Sequence, residues 1–316
     1  MNYNTDNKFS IRAERLTVNY DKLVALDIPE LETSGNCVAI VGHNGAGKST
    51  LIKTILNLLP TNSGKIQLFD SSTDTALLAE RDMAFCPETG AVFADISVES
   101  YVKFWCRIKH GDSRYYRKAG SKYIELLEIA PLLGKLGREL SKGQCRRVQT
   151  AIGFITQPRL FLFDEPFDGL DVLKTNELAH IILAESDQMN FIISSHRMDV
   201  IERLADIVIV LKHGLVVAAG SVEEVCSKLS GNSTILSNLK NRVAVLAALK
   251  KKLPDNLINH LGEIISITGH SNDEKEVRTA LEQLGETEVS ISNTRPSLTD
   301  AVNYHLKSLN MAEAVQ

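Results

Sequence analysis

The sequence predicts an α/β fold: a largely parallel sheet with helices on both faces, followed by a small α+β domain. Three observations carry this. Apolar strand-like runs alternate with stretches of helical spacing over the first two thirds of the chain. Residues 42–50, Gly-His-Asn-Gly-Ala-Gly-Lys-Ser-Thr, join one such strand to one such helix. The composition then shifts near residue 230, where Ser230-Gly231-Asn232-Ser233 has linker character.

In chain order, residues 10–34 read as short strands with turns. Cys37–Val41 is a short apolar run of buried-strand type. After the glycine-rich stretch, Leu51, Ile52, Ile55, Leu58 and Leu59 recur at helical spacing, and Pro60 is the expected stop. Residues 65–69 and 83–86 read as strands. From about 97 to 157 the pattern turns helical, with Val98, Tyr101, Val102, Trp105 and Ile108 near a 3.6 period. Residues 160–163 form an apolar strand, 173–186 a helix and 191–195 a strand. Two further strands, 207–211 and 215–219, flank Lys212-His213-Gly214, a hairpin signal. Beyond the linker come strands at 234–236, 263–268 and 286–292, with helices at 241–252, at 273–284 and from 297. The expected domains are 8–229, with a helical subdomain at about 90–157, and 230–316.

The chain has 316 residues, 44% hydrophobic and 23% charged, enough for a sizeable core in one large and one smaller domain. A net charge of −4 gives no global reason to expect nucleic acid as a partner. No apolar run approaches the length that spans a bilayer, and the polar start has no signal-peptide pattern. The five cysteines show no paired spacing and read as reduced core thiols.

Residues 42–50 match the phosphate-loop pattern. Gly42 opens it, and Asn44 and Ala46 fill free positions. Gly45 and Gly47 let the backbone turn tightly and approach a phosphate. Successive amides then point at the anion, aided by the N-terminus of the following helix. Lys48 is expected to reach the outer phosphates, Ser49 to hold Mg²⁺ and Thr50 to add a phosphate contact. A second motif, residues 160–166, is an apolar strand ending in Asp164-Glu165-Pro166. Asp164 is placed to bind Mg²⁺, directly or through water. Glu165, one residue on, is placed to polarise a water that attacks the γ-phosphate. A third, Leu140-Ser141-Lys142-Gly143-Gln144, opens a helical run that Ser141 is able to cap.

In order and spacing, these three motifs resemble the ATPase subunits of ABC transporters over about residues 10–225. The resemblance implies a P-loop NTPase core of the ABC type, with a mostly parallel sheet, an antiparallel β subdomain and a helical subdomain. It implies that Tyr20 stacks on adenine, that Asp168-Gly169-Leu170-Asp171 is the loop after the acids, and that His196 contacts the γ-phosphate. Ser141, Gly143 and Gln144 would close over ATP held by a partner, so two subunits would face each other head to tail. The helical segment around 90–130 would contact separate transmembrane permease subunits, which places the chain peripherally on the cytoplasmic face of the membrane. Two positions depart from the pattern: Lys142 stands where the family has glycine, and Glu88 where many relatives have glutamine. Glutamate there, as a further oxygen ligand near Mg²⁺, resembles the branch that exports drugs, lipids and polysaccharides. Residues 295–302 resemble a segment that ends many subunits of that branch, and read equally as a helix start capped by Ser297. A soluble ATPase acting on nucleic acid or translation would carry two cassettes or a coiled coil. A silent scaffold would lack Glu165 or His196.

Overall fold

The computed structural model describes residues 8–70, 75–76, 82–90, 92–269 and 274–313. The chain divides into two compact units between Val217 and Ala218.

In the first unit, β1 (Phe9–Tyr20) and β2 (Leu23–Gly35) make a long antiparallel ribbon, paired from Phe9↔Gly35 to Tyr20↔Leu23 with a register shift between Val18 and Asn19. The chain then enters a second sheet through β3 (Cys37–Val41), every residue of which is buried. The glycine loop and α1 (Lys48–Ile55) follow. The expected helix over Leu58 and Leu59 stops early. Asn57, at φ +55°, takes the left-handed position, and the Leu58 and Asn57 amides bond back to Lys53 and Thr54. This is the Schellman closure of a helix C-terminus. Then β4 (Ser63–Asp70) and β5 (Thr75–Ala76) complete the antiparallel sheet, in the order β2-β1-β4-β5.

The second sheet continues with β6 (Met83–Cys86). The helical region holds α2 (Val98–His110), α3 (Tyr115–Ala119), α4 (Ser121–Leu126) and α5 (Lys142–Ile155). After it come β7 (Leu160–Asp164), α6 (Val172–Glu185), β8 (Asn190–Ser195), α7 (Met198–Leu204), β9 (Ile207–Lys212) and β10 (Leu215–Gly220). The strand order is β10-β9-β3-β8-β7-β6, and the pairs from β9 to β6 are parallel. Register puts Val41 opposite Ser195, Asp164 opposite Ser194 and Cys86 opposite Phe163. The carboxyl ends of β3, β8, β7 and β6 therefore open on one edge, where parallel sheets of this kind bind ligands.

The second unit contains α8 (Val222–Ser230), absent from the sequence-based expectation although Ser221 and Glu224 form a reciprocal capping box at its start. Ser230 is buried and ends that helix, so the linker-like tetrapeptide is ordered structure. Next come β11 (Asn232–Ser237), α9 (Arg242–Lys252), β12 (Leu257–Leu261), β13 (Ile264–Gly269), α10 (Glu274–Gln283), β14 (Ser290–Thr294) and α11 (Leu298–Glu313). The antiparallel order β12-β13-β11-β14 makes the βαββαβ portion a ferredoxin-like fold. Leu236, Val245, Leu249, Ile265, Ile267 and Leu281 fill its core. The last strand starts later than expected because the Glu286 amide still closes α10, donating to the Leu281 carbonyl at 3.0 Å, and the Glu286 carboxylate is engaged as well. It accepts the Lys240 and Asn241 amides at 2.9 and 2.6 Å, just ahead of α9. The start of α11 is capped as read, with the Asp300 amide donating to Ser297 Oγ at 3.0 Å.

All five cysteines are free, and four are buried. Burial pushes the Cys86 and Cys106 thiols up to about 11. Among the described residues no helix is long and apolar enough to cross a membrane.

Candidate active site

The glycine loop leaves β3 at Val41 and wraps around Lys48. Gly45 and Gly47 take φ of +81° and +104°, which only glycine adopts without strain. At Gly47 a Cβ would also lie 2.9 Å from Leu26 Cδ2 and 3.0 Å from the Ala25 carbonyl. Lys48 Nζ donates to the carbonyls of Gly42 at 2.8 Å and His43 at 3.2 Å. It also lies 3.0 Å from Glu165 Oε1, and both side chains are buried. Burying either charge alone would be costly, so each compensates the other.

The neighbouring strands supply the acids. Asp164 closes β7, and its Oδ1 accepts from Ser49 Oγ at 2.9 Å and Ser194 Oγ at 2.6 Å. Ser194 Oγ in turn accepts the Glu165 amide at 2.9 Å. In the sequence Ser194 stands out only as part of the run before His196; in the fold its hydroxyl ties Asp164 to the backbone of Glu165. Glu165 sits at φ +50°, a left-handed conformation uncommon outside glycine, which marks the strand end as a functional candidate. Its Oε2 meets His196 Nδ1 at 2.9 Å and accepts the His196 amide at 3.2 Å. Its Oε1 is buried without a hydrogen-bond partner among the described residues, the Lys48 ion contact aside.

A cleft of about 550 Å³ opens over these groups. Tyr20, Asn44, Gly45, Gly47, Lys48, Ser49, Thr50, Glu88, Glu165, Asp168 and His196 line it. The structure thus gathers almost all the residues expected to hold a nucleotide. Tyr20 is half exposed beside Leu23 and Val24, which gives a flat apolar wall for a base. Ala46 is buried beneath the loop, and its carbonyl accepts the Gly214 amide at 3.0 Å.

The donor set fits Mg²⁺. Ser49 Oγ, Asp164 and Glu88 offer only hard oxygen atoms, and the Ser49–Asp164 hydrogen bond already brings two of them together. Among the described residues no group of three or more His, Cys, Asp or Glu forms a metal cage by itself. A cation here would draw its remaining ligands from phosphate and water, the usual arrangement for this ion.

Ser141, Gly143 and Gln144 lie elsewhere. They line a second cleft of about 330 Å³ with Leu127, Arg146 and Leu170, and the two clefts share no lining residue. Ser141 caps α5 as expected: its Oγ accepts the Gln144 amide at 3.3 Å, and Gln144 Oε1 accepts the Ser141 amide at 3.1 Å. Arg146 and Arg147, on the same helix, are both engaged. Arg146 Nη1 donates to the Asp168 carbonyl at 2.7 Å, and Arg147 pairs with Glu128 at 2.9 Å. The loop Asp168-Gly169-Leu170-Asp171 bends through Gly169 at φ +69°, and Asp171 caps α6 by accepting the Lys174 amide at 2.8 Å.

The family model for ABC transporters matches residues 30–168. The fold is that of an ABC-type ATPase cassette. An ABC transporter ATP-binding protein of Methanocaldococcus jannaschii is 28% identical over 71% of this chain and 82% of its own length. The molybdenum import ATP-binding protein ModC of Escherichia coli is 34% identical over 63% of this chain and 57% of its own length. ATP-binding cassette sub-family A member 2 of Rattus norvegicus is 30% identical over 66% of this chain, which spans only 9% of that much longer protein. Among solved structures, the ATP-binding subunit of an ABC transporter superposes with a TM-score of 0.59 at 25% identity, over 68% of this chain and 91% of that one. A dimeric ATP-binding cassette bound to ADP and Pi shares the fold at 20% identity, with a TM-score of 0.58 over 67% of this chain and 98% of that one. Relatives of the cassette include importers, so kinship alone selects no direction of transport.

Proposed function

We propose that this cassette binds and hydrolyses ATP with Mg²⁺ and powers export of a substrate through separate transmembrane subunits, working as a head-to-tail dimer. One observation carries the reading: the phosphate-loop cleft and the Ser141–Gln144 cleft are separate on the same chain. A chain built this way holds two half-sites, and a partner of the same kind completes both.

In this reading, ATP phosphates replace the Glu165 carboxylate as the anion on Lys48. Bound Mg²⁺, held by Ser49 and Asp164, would supply charge neutralisation on the phosphates. Freed from Lys48, Glu165 accepts a proton from the attacking water, and His196 orients that carboxylate and reaches the γ-phosphate. Ser141, Gly143 and Gln144 of the partner cover the phosphates from the other side. ATP then favours the closed dimer because it contacts both chains only there.

Attachment to membrane subunits is supported by an exposed aromatic patch in the helical region. Phe93 and Phe104 stack edge-on at 5.9 Å, and Ile108 lies exposed on the same helix as Phe104. Export is supported by Glu88, which lines the cleft where an amide is the commoner residue.

Mixing two inactive variants tests the half-site reading. Lys48→Ala and Ser141→Arg each disable both sites of their own homodimer. A mixed dimer places both lesions in one site and leaves the other intact, so ATPase activity returns on mixing. No recovery at any ratio would overturn the shared site.

A further inference from the structure

The tip of the β9–β10 hairpin holds a second histidine in the phosphate-loop cleft. His213 and Gly214 take φ of +48° and +80°. Two successive left-handed residues are what a two-residue type I′ turn requires, and the favoured pair is Asn-Gly. Histidine at the first position is a costlier choice than asparagine or glycine. Such a choice at a ligand cleft points to a use for the side chain.

The turn is clamped in place. The Gly214 amide donates to the Ala46 carbonyl at 3.0 Å, and its carbonyl accepts the Asp27 amide at 2.9 Å. A Cβ on Gly214 would lie 2.6 Å from the Ala25 carbonyl, so the hairpin is pressed against β2. Gly47 is also a neighbour, a Cβ built on it lying 3.6 Å from Gly214 Cα. His213 therefore sits where the apolar wall of Tyr20, Val24 and Ala25 meets the phosphate loop at Gly45 and Gly47. A nucleotide with its base on that wall and its phosphates on the loop puts its ribose and α-phosphate at this junction. The imidazole is exposed, lines the cleft, and has no hydrogen bond or ion pair among the described residues. His196, by contrast, is bonded to Glu165.

We infer that His213 is a nucleotide-contacting residue whose imidazole N–H donates to an oxygen at the ribose–α-phosphate junction. This rests on the cleft being the nucleotide site. His213→Asn is the informative variant, because asparagine suits the turn and shortens the side chain out of reach. Its melting temperature should not fall, whereas its Kd for ATP, measured by calorimetry, should rise about 3- to 10-fold, the usual net value of one hydrogen bond. Titration with tripolyphosphate locates the acceptor: an equal loss assigns it to phosphate, an undiminished affinity to ribose. Unchanged ATP affinity in His213→Asn, alongside a clear loss in Lys48→Ala, overturns the His213 contact and leaves the site standing. Unchanged affinity in both variants overturns the site as well.

Discussion

The two clefts of the cassette are built on opposite principles. In the phosphate-loop cleft Lys48, Asp164 and Glu165 are buried, and bonds cross the sheet: Lys48 to Glu165, Glu165 to His196, and Ser49 and Ser194 to Asp164. In the other cleft, the side chains of Ser141 and Gln144 each accept the other's backbone amide at the start of α5. In the proposed reading the first is a preorganised reaction centre, and the second is a helix N-terminus with its own cap, offered to a partner. Preorganised charge in a dry site stabilises a transition state, whereas an exposed N-terminus adds an anion contact only when a partner presents the anion. Arg146 joins them, lining the second cleft while holding the carbonyl of Asp168 in the first.

The largest expected effect breaks the first cleft alone. Glu165→Gln keeps the shape but loses the proton acceptor, so turnover should fall about 10²- to 10⁴-fold. ATP should still bind and should hold the chain as a dimer in sedimentation. Hydrolysis at the unsubstituted rate would remove Glu165 from the base role. A smaller effect separates the clefts. Lys48→Ala should weaken ATP binding by the chain about 10- to 100-fold, the value of a charge-assisted contact. Ser141→Ala should leave that binding within about two-fold, because a lost cap costs about 1 kcal/mol at α5 and nowhere near Lys48. It should lower turnover instead. Equal losses of ATP affinity in the two variants would mean that one chain uses both clefts on one nucleotide. The smallest effect concerns access. Cys145 lies one residue past Gln144 and is only half buried, with its thiol raised by that burial, whereas Cys86 is fully buried. Maleimide should reach Cys145 before Cys86, and ATP added to Glu165→Gln should slow it. Labelling of Cys145 indifferent to ATP would argue against a partner closing over that face.

Most of the candidate site was legible because its residues lie in short runs with fixed chemistry. The glycine loop, the two acids after an apolar strand and the serine ahead of a helix each carry their meaning within ten residues. What stayed hidden depends on partners distant in the chain. Arg146 looks like a solvated helix residue until the loop at Asp168 is folded beside it. Glu286 looks like the start of a strand, yet its carboxylate is held below the usual range by the two amides it accepts ahead of α9. α8 and β12 were missed for different reasons. The first had a legible capping box, while the second, Leu-Ile-Asn-His-Leu, breaks the alternation that marks a strand.

By itself, the sequence determined the phosphate loop, the acids and the strand-to-helix alternation, because these follow from backbone freedom at glycine and from apolar periodicity. Tertiary structure alone decided which groups touch. Ser49 and Asp164 are 115 residues apart and meet because β3 and β7 flank β8 in one parallel sheet, with their carboxyl ends level. The same sheet places Glu165 between Lys48 and His196 and leaves Ser141 in another cleft. Strand order and register are long-range pairings, set by how the buried faces fit together, and no local pattern encodes them.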